Sequence, residues 1–296
     1  MIKKLKKVCQ NLLSIEKKIK DTDTFNYLKY SALNSNERGI NKNNFKNKIV
    51  ISLTTYSKRI EEVYLVVESI LNQTLKADKI ILWLDEVEFN EEIIPNILKK
   101  QRERGLEIKY CENIKSYKKL IPTLKEYSNE IIITVDDDII YPIDFIEKLY
   151  KNHIKFPNVI LCNIGREIPK NKKLILEYKN WKLSKNIKLP MYEIVPIGAG
   201  GILYPPNCFY KDVQAKELFQ KLAPLADDIW FKTMTLKNGL KSMVIDEIDK
   251  YLKQIIILEE AQDIALYKKN IKMNNIQIKK VFEKYDILNL DVLNID

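Results

Sequence analysis

The sequence predicts an α/β domain: a mostly parallel central sheet with helices on both faces, led by a basic amphipathic helix and followed by a helical C-terminal segment. Three observations carry that expectation. From residue 49 to about residue 150, short β-rich runs alternate with stretches of helical periodicity. The β-rich runs IVISLT, KIILWL and EIIITV are nearly continuously apolar, the pattern of strands buried on both faces. The 296 residues are 46% hydrophobic and 30% charged, the composition of a folded globular chain. A chain of this length buries roughly 75% of its unfolded surface and needs no disulfide or metal staple.

The elements follow in chain order. Residues 1–20 place Ile2, Leu5, Val8, Leu12, Ile15 and Ile19 at spacings of three and four with lysines between, an amphipathic basic helix. Two readings of it stay open: a helix lying on an anionic membrane surface, or one packing on its own domain. Residues 21–47, rich in Asn, Lys and Ser, read as a linker. Strands are expected at Ile49–Thr54, Lys79–Leu84, Leu106–Tyr110 and Glu130–Val135. Helices are expected at Glu61–Asn72, Ile93–Arg104 (stopped by Gly105) and Lys118–Tyr127, with a further one started by Pro142 and Asp144. In the second half, a helix after Asp227 ends near Gly239, and Gln277–Tyr285 is a terminal amphipathic helix. The implied division is 1–47, a leader and linker; 48–245, the α/β domain in two halves, 48–140 and 141–245; and 246–296, a C-terminal extension.

Charge and rare residues exclude much. The 50 Lys+Arg and 40 Asp+Glu leave +10, but residues 1–20 alone hold seven Lys and one Glu, so the other 276 residues carry only +4. A nucleic-acid surface spread over the folded body is therefore not expected. No apolar run approaches the roughly 18 residues of a membrane span, and polar residues break any secretory h-region. Cys9, Cys111, Cys162 and Cys208 form no CxxC pair, so they read as reduced thiols of a cytosolic protein. With His153 alone, a two-histidine zinc site is impossible, and this residue reads as structural. The chemistry must rest on carboxylates, lysines, hydroxyls or a hard metal.

In such sheets ligands bind beyond the carboxyl ends of the strands. Thr54-Thr55-Tyr56, Asp85 and Asp136-Asp137-Asp138 fall there. TTYSKR contains no glycine, so a dinucleotide fingerprint and a P-loop are both absent. Three consecutive carboxylates leaving an apolar strand repel one another unless a cation sits among them. Oxygen-only donors with no His suit Mg²⁺ or Mn²⁺. The alternative is a solvated turn whose acids cap the next helix. A haloacid-dehalogenase-type site fits poorly, because Ile140 stands where a Thr is needed.

The stretch ISLTTYSKRIEEVYLVVESILNQTLKADKIILWL, with YKKLIPTLKEY, IIITVDDDIIYP, GAGGILYPP and LADDIWFK, resembles family 2-like glycosyltransferases with the GT-A fold over about residues 48–240. It resembles in particular the sugar transferases of bacterial capsule and surface-polysaccharide gene sets. The resemblance implies a nucleotide-sugar donor, UDP-sugar favoured, and a glycan or lipid-linked acceptor at the inner face of the cytoplasmic membrane. Asp136–Asp138 match the DxD motif, which implies Mn²⁺ or Mg²⁺ on Asp138, with Asp136 near the ribose or the metal's waters. Thr54, Tyr56 and Asp85 are implied to hold base and ribose. Asp137, Gly200 and Gly201 join the donor-binding set, as does Lys118 or Lys119, with a solvated helix start as the equal alternative; Arg59 reads as an ordinary surface arginine, with a phosphate contact as the alternative.

Three of the seven glycines fall in Gly198-Ala199-Gly200-Gly201, which marks a sharp bend or a close approach to a ligand. The resemblance sets that segment beside donor sugar and acceptor. Asp227 and Asp228 precede a helix; one carboxylate is expected to cap it and the other to face the cleft. Transfer with inversion needs a base for the acceptor hydroxyl, and the resemblance assigns it to Asp228. Trp230 reads as a core residue. No QxxRW-like motif follows, which argues against a processive polymerase. The competing readings are a non-catalytic membrane-associated scaffold and a nucleotidyltransferase, the latter lacking its Gly- and Arg-rich loop.

Overall fold

In a computed structural model, residues 2–41, 44–171, 175, 177–258 and 267–287 are described, with only the backbone for 2–14 and 267–272. The strands are β1 (Ile49–Thr54), β2 (Lys79–Asp85), β3 (Leu106–Cys111), β4 (Ile131–Thr134), β5 (Ile139–Ile140), β6 (Ile160–Cys162), β7 (Gly165–Glu167), β8 (Lys182–Leu183), β9 (Ile194–Pro196), β10 (Ile202–Tyr204), β11 (Ser242–Val244) and β12 (Ile256–Ile257). The helices are α1 (Ile2–Asn34), α2 (Val63–Leu71), α3 (Asn96–Glu103), α4 (Ile121–Tyr127), α5 (Phe145–Lys155), α6 (Lys216–Leu222), α7 (Asp227–Lys237), α8 (Ile248–Leu252) and α9 (Tyr267–Lys284).

Among the described residues the main sheet has seven strands in the order β11-β6-β10-β4-β1-β2-β3. All neighbours pair in parallel except β10, which runs antiparallel to both β4 and β6. This is the expected mostly parallel α/β sheet. The strand runs explain its burial. Ile131 and Ile133 enter one apolar core, while Ile132 enters the other. Ile49, Ile51 and Leu53 likewise face the core opposite to Val50. A strand with no polar face is stable only with cover on both sides. Two short sheets, β8-β7-β9 and β12-β5, flank the carboxyl ends of the main strands.

The first half of the stretch read as a linker is helical: α1 continues into it as far as Asn34. The second half of α1 is held by a tertiary contact that local composition does not reveal. Leu28 and Ala32 are buried, and the Ser31 hydroxyl donates to Glu68 Oε1 at 2.6 Å. Glu68 is fully buried in α2 and also accepts from Arg104 Nη1 at 2.7 and 2.8 Å, Gln101 Nε2 at 2.8 Å and Asn72 Nδ2 at 2.8 Å. A carboxylate so deeply placed persists because its lone pairs are filled and its charge is matched. Three helices and the loop before β3 thereby lock together.

His153 is buried in α5, outside the cavity described below, and burial alone lowers its pKa. Cys162 and Cys208 are buried thiols and Cys111 is half-buried. Among the described residues no helix is long and apolar enough to cross a membrane.

Candidate active site

A cavity of about 530 Å³ opens at the carboxyl ends of β1 and β4. One wall carries Thr54, Thr55, Tyr56 and Arg59; the floor carries Asp136, Asp137 and Asp138; the far wall carries Gly198, Asp227 and Asp228. The acids arrive there by simple routes. The backbone N–H of Val135 extends the β4 ladder to Ser52, after which the chain turns. The Asp136 N–H then donates to the buried Tyr141 hydroxyl at 2.9 Å. The Asp138 carbonyl accepts from Leu258, and β12 pairs with β5 just beyond, so the C-terminal segment clamps the turn.

Each aspartate of the floor has a cationic partner. Arg59 Nη1 donates to Asp137 Oδ1 at 2.6 Å, and its Nη2 lies 3.2 Å from Asp138 Oδ2. The Thr55 hydroxyl takes the second Asp137 oxygen at 2.7 Å. Burial pushes Asp137 up to about 6, and the Arg59 guanidinium keeps it from rising further. Arg59 is only 6% exposed, which corrects its reading as a surface arginine. The sequence does not distinguish it because the turn at Ser57–Glu61 is what rotates it inward.

Lys119 joins the two acidic motifs. Its Nζ donates to Asp136 Oδ1 at 2.9 Å and lies 3.1 Å from Asp227 Oδ2, the latter an ion pair without hydrogen-bond geometry. Burial alone would lower this ammonium, but Asp136, Asp227 and Asp228 together hold it well above its ordinary value. Gly198 makes the approach possible: a Cβ there would sit 2.7 Å from Lys119 Nζ and 3.2 Å from Asp136 Oδ1.

Asp227 is the first residue of α7, and its carboxylate makes no cap; the N-cap is Ala226. The expected split into a capping acid and a cleft-facing acid is therefore not seen, since both line the cavity. Asp228 Oδ2 accepts from the Gly198 N–H at 3.2 Å, while its Oδ1 is buried without a hydrogen-bond partner. Burial first, and then the charge of Asp227, raise Asp228 to about 7, against the pull of Lys119. A carboxyl that titrates near neutrality with an open oxygen is equipped to accept a proton.

Sequence-model comparison adds the deciding finding: the model of glycosyl transferase family 2 matches residues 50–202. The chain belongs to that family. It is a glycosyltransferase, and the cavity holds both of its acidic motifs. Three solved structures are similar at low identity. The mannosyltransferase PcManGT from Pyrobaculum calidifontis, in complex with GDP-Man and Mn²⁺, has a TM-score of 0.47 and 13% identity, over 93% of this chain and 75% of that one. S. aureus TarS has 0.44 and 15%, over 68% of this chain and 36% of that one. S. aureus TarS 1–349 in complex with UDP has 0.41 and 11%, over 68% and 59%. No curated protein sequence matches the chain.

Of the expected site residues, Thr54, Tyr56, Lys118, Asp136, Asp137, Asp138, Asp227 and Asp228 line the glycosyltransferase cavity. Asp85, Gly200 and Gly201 are not among its lining residues. Asp85 is buried, and its Oδ1 accepts from the Val87 N–H at 2.9 Å, shaping the turn after β2. Its charge also supports the buried Lys118, whose ammonium burial lowers. The Gly200 carbonyl takes the Asn163 amide and the Tyr251 hydroxyl, both at 2.9 Å. Gly201 has φ +71°, and a Cβ there would meet the Phe145 ring at 2.4 Å. Both glycines shape the turn into β10. Trp230 is a fully buried core residue, as read.

Asp136 and Asp138 fit a hard divalent cation by donor chemistry. Their carboxylates are partly accessible, 28% and 16%, and face the cavity with oxygen donors only. Among the described residues no group of three or more His, Cys, Asp or Glu side chains forms a complete cage. Mg²⁺-type sites commonly take one or two carboxylates and fill the rest with phosphate oxygens and water.

Proposed function

We propose that this glycosyltransferase moves a single sugar from a nucleoside-diphosphate sugar, UDP-sugar first among the candidates, to a hydroxyl of a glycan or lipid-linked acceptor. The transfer would invert the anomeric centre and use a divalent cation. The observation that carries this reading is the meeting of Asp136–Asp138 with Asp228 in one cavity, Asp228 having a buried oxygen without a hydrogen bond.

Asp136 and Asp138 would hold the Mg²⁺ or Mn²⁺. The chemistry such an ion supplies is neutralisation of the charge that grows on the departing diphosphate. Lys118, buried at the cavity wall, adds a second positive contact there. Thr54 and Tyr56, at the end of β1, flank the place for ribose and base. On the opposite wall Asp228 Oδ1 takes the acceptor hydroxyl proton as that oxygen bonds to the anomeric carbon. The bond from that carbon to the diphosphate oxygen breaks, and the nucleoside diphosphate leaves. Asp228 then carries a neutral carboxyl, the form its burial already favours.

A role in bacterial surface polysaccharide assembly, at the inner face of the cytoplasmic membrane, completes the proposal. Its support is the +6 charge of residues 1–20 and the exposure of Ile15 and Ile19 on α1. Several lysines near an anionic surface add about 1 kcal/mol each.

The test is a thermal-shift panel of UDP-, GDP-, CMP- and TDP-sugars, with and without Mn²⁺. One donor should raise Tm only with the ion, by the ratio of its concentration to Kd, and Asp138→Asn should lose that shift while keeping its own melting transition. No nucleotide-dependent shift, or an unchanged one in D138N, would sink the reading.

A further inference from the structure

Beside Asp227 and Asp228 the cavity wall changes sign. Arg166 on β7, Tyr178 and Asn274 on α9 line the same cavity; the Tyr178 N–H donates to Asn275, beside Asn274, at 2.9 Å, and the Leu225 N–H donates to Gln277 on the same helix at 2.8 Å. The cations on the floor are already matched, Arg59 to Asp137 and Asp138, Lys119 to Asp136 and Asp227. Arg166 differs. Its Nη1 donates to the Trp181 carbonyl at 2.6 Å, and the guanidinium lies over the Tyr178 ring at 5.2 Å from the centroid. The acids nearest to it in the chain are engaged elsewhere. Glu167 accepts from Ser184 and Asn186, Glu177 pairs with Lys179, and Glu193 lies 3.8 Å from Lys170. Asn274 is only 7% exposed, yet its amide has no hydrogen-bond partner among the described residues. Ser116 Oγ, in the same cavity, is also buried without one.

A guanidinium held over a ring and tied at one nitrogen to a carbonyl, with no acid among the described residues to neutralise it, presents a pair of donors that suits two oxygens of one anionic group. The unpartnered Asn274 amide adds a neutral donor and acceptor beside it. We infer that Arg166, Tyr178 and Asn274 form an acceptor subsite that takes an anionic oxygen group, a carboxylate or a phosphate, carried by the acceptor next to the hydroxyl that is glycosylated. This rests on the transfer reaction proposed above. It adds a substrate class: the acceptor is acidic.

The experiment is calorimetric titration of the full chain, saturated with UDP and Mn²⁺ so that the donor side is filled. The probes are glucuronate, glucose 6-phosphate and glucose. At least one anionic probe should bind about tenfold to a hundredfold more tightly than glucose, the range of a charge-assisted contact; whichever of the two does so identifies the group. Arg166→Met should erase the preference, Arg166→Lys should keep part of it, and Asn274→Ala should weaken the anionic probe severalfold while retaining the preference. Each variant's melting transition checks its fold. Equal binding of all three probes, no binding of any, or a preference that survives R166M overturns the subsite. A preference lost in Lys118→Met but kept in R166M also overturns it, because the anion then sits on the donor side. UDP titrated alone with Mn²⁺ reads the transfer proposal separately. No UDP binding beside an Arg166-dependent preference, with the probes titrated in the absence of UDP, sinks the donor reading and leaves the subsite. UDP binding without that preference does the reverse.

Discussion

Replacing Asp228 by asparagine should move stability and activity in opposite directions. The carboxyl titrates near 7 in the folded chain because it is buried beside Asp227, against about 3.9 when unfolded. The folded state therefore binds the proton more tightly between those values. The contribution of Asp228 to stability therefore falls as pH rises from about 4 through 7, and its loss is complete above about 8. Three units at about 1.4 kcal/mol each give a penalty on the order of 4 kcal/mol at alkaline pH. The amide of the variant carries no charge, and its oxygen can still accept from the Gly198 N–H that now meets Asp228 Oδ2. D228N should match the wild type near pH 4 and exceed it by up to about 4 kcal/mol at pH 9, a figure that already includes the attraction to Lys119. Transfer should fall roughly 10²–10⁴-fold, the usual cost of a missing general base. Urea denaturation at pH 4, 7 and 9 measures the first effect. Single-turnover sugar transfer measures the second, and the wild-type rate should rise with pH through about 7. An unchanged rate, or a D228N protein less stable than wild type at pH 9, would refute the reasoning.

Two further substitutions probe the cavity. Gly198→Ala places a methyl against Lys119 Nζ and Asp136; because the clash is with the end of a flexible chain, the cost should stay within about 1–3 kcal/mol, while donor affinity measured by titration drops as Lys119 is displaced. Arg59→Met leaves Asp137 buried and unpaired, with both side chains only 7% exposed, and should cost about 3 kcal/mol in urea unfolding at pH 8. That cost should shrink by pH 5, because Asp137 without Arg59 takes up a proton more readily still.

The sheet was legible wherever a strand is buried on both faces, since Ile49–Thr54 and Ile131–Thr134 are rich in Ile, Val and Leu and carry no charged residue on either face. It was less legible at β7, β8 and β9, whose three or fewer residues are fixed by pairing partners far along the chain. The acidic half of the site could be read because Asp136–Asp138 and Asp227–Asp228 are contiguous and end or begin regular elements. Its cationic half could be read only at Lys118 and Lys119, which both line the cavity. Arg59 is turned inward by a 3₁₀ turn, and Arg166 and Asn274 come to line one cavity only in the folded chain. Asp85 and Gly200 fall outside the cavity lining for a related reason: a position after a strand locates a residue at the correct end of the sheet but does not give the direction of its side chain. Residues 21–34 of the stretch 21–47 read as a linker are helical, held by contacts of Leu28 and Ser31 to α2 that no local window contains.

Two pieces of the cavity come from far downstream. Ile257 and Asn274 line it, and Gln277, one turn past Asn274, accepts the Leu225 N–H just before the Asp227–Asp228 pair. During synthesis the chain thus holds all five aspartates while the cleft still gapes at one end. A ribosome stalled, or a message cut, before residue 274 would yield a product with every acidic motif in place and an unfinished wall. Competence for the reaction is in this sense a late event in the life of the polypeptide, reached only when its last described helix docks.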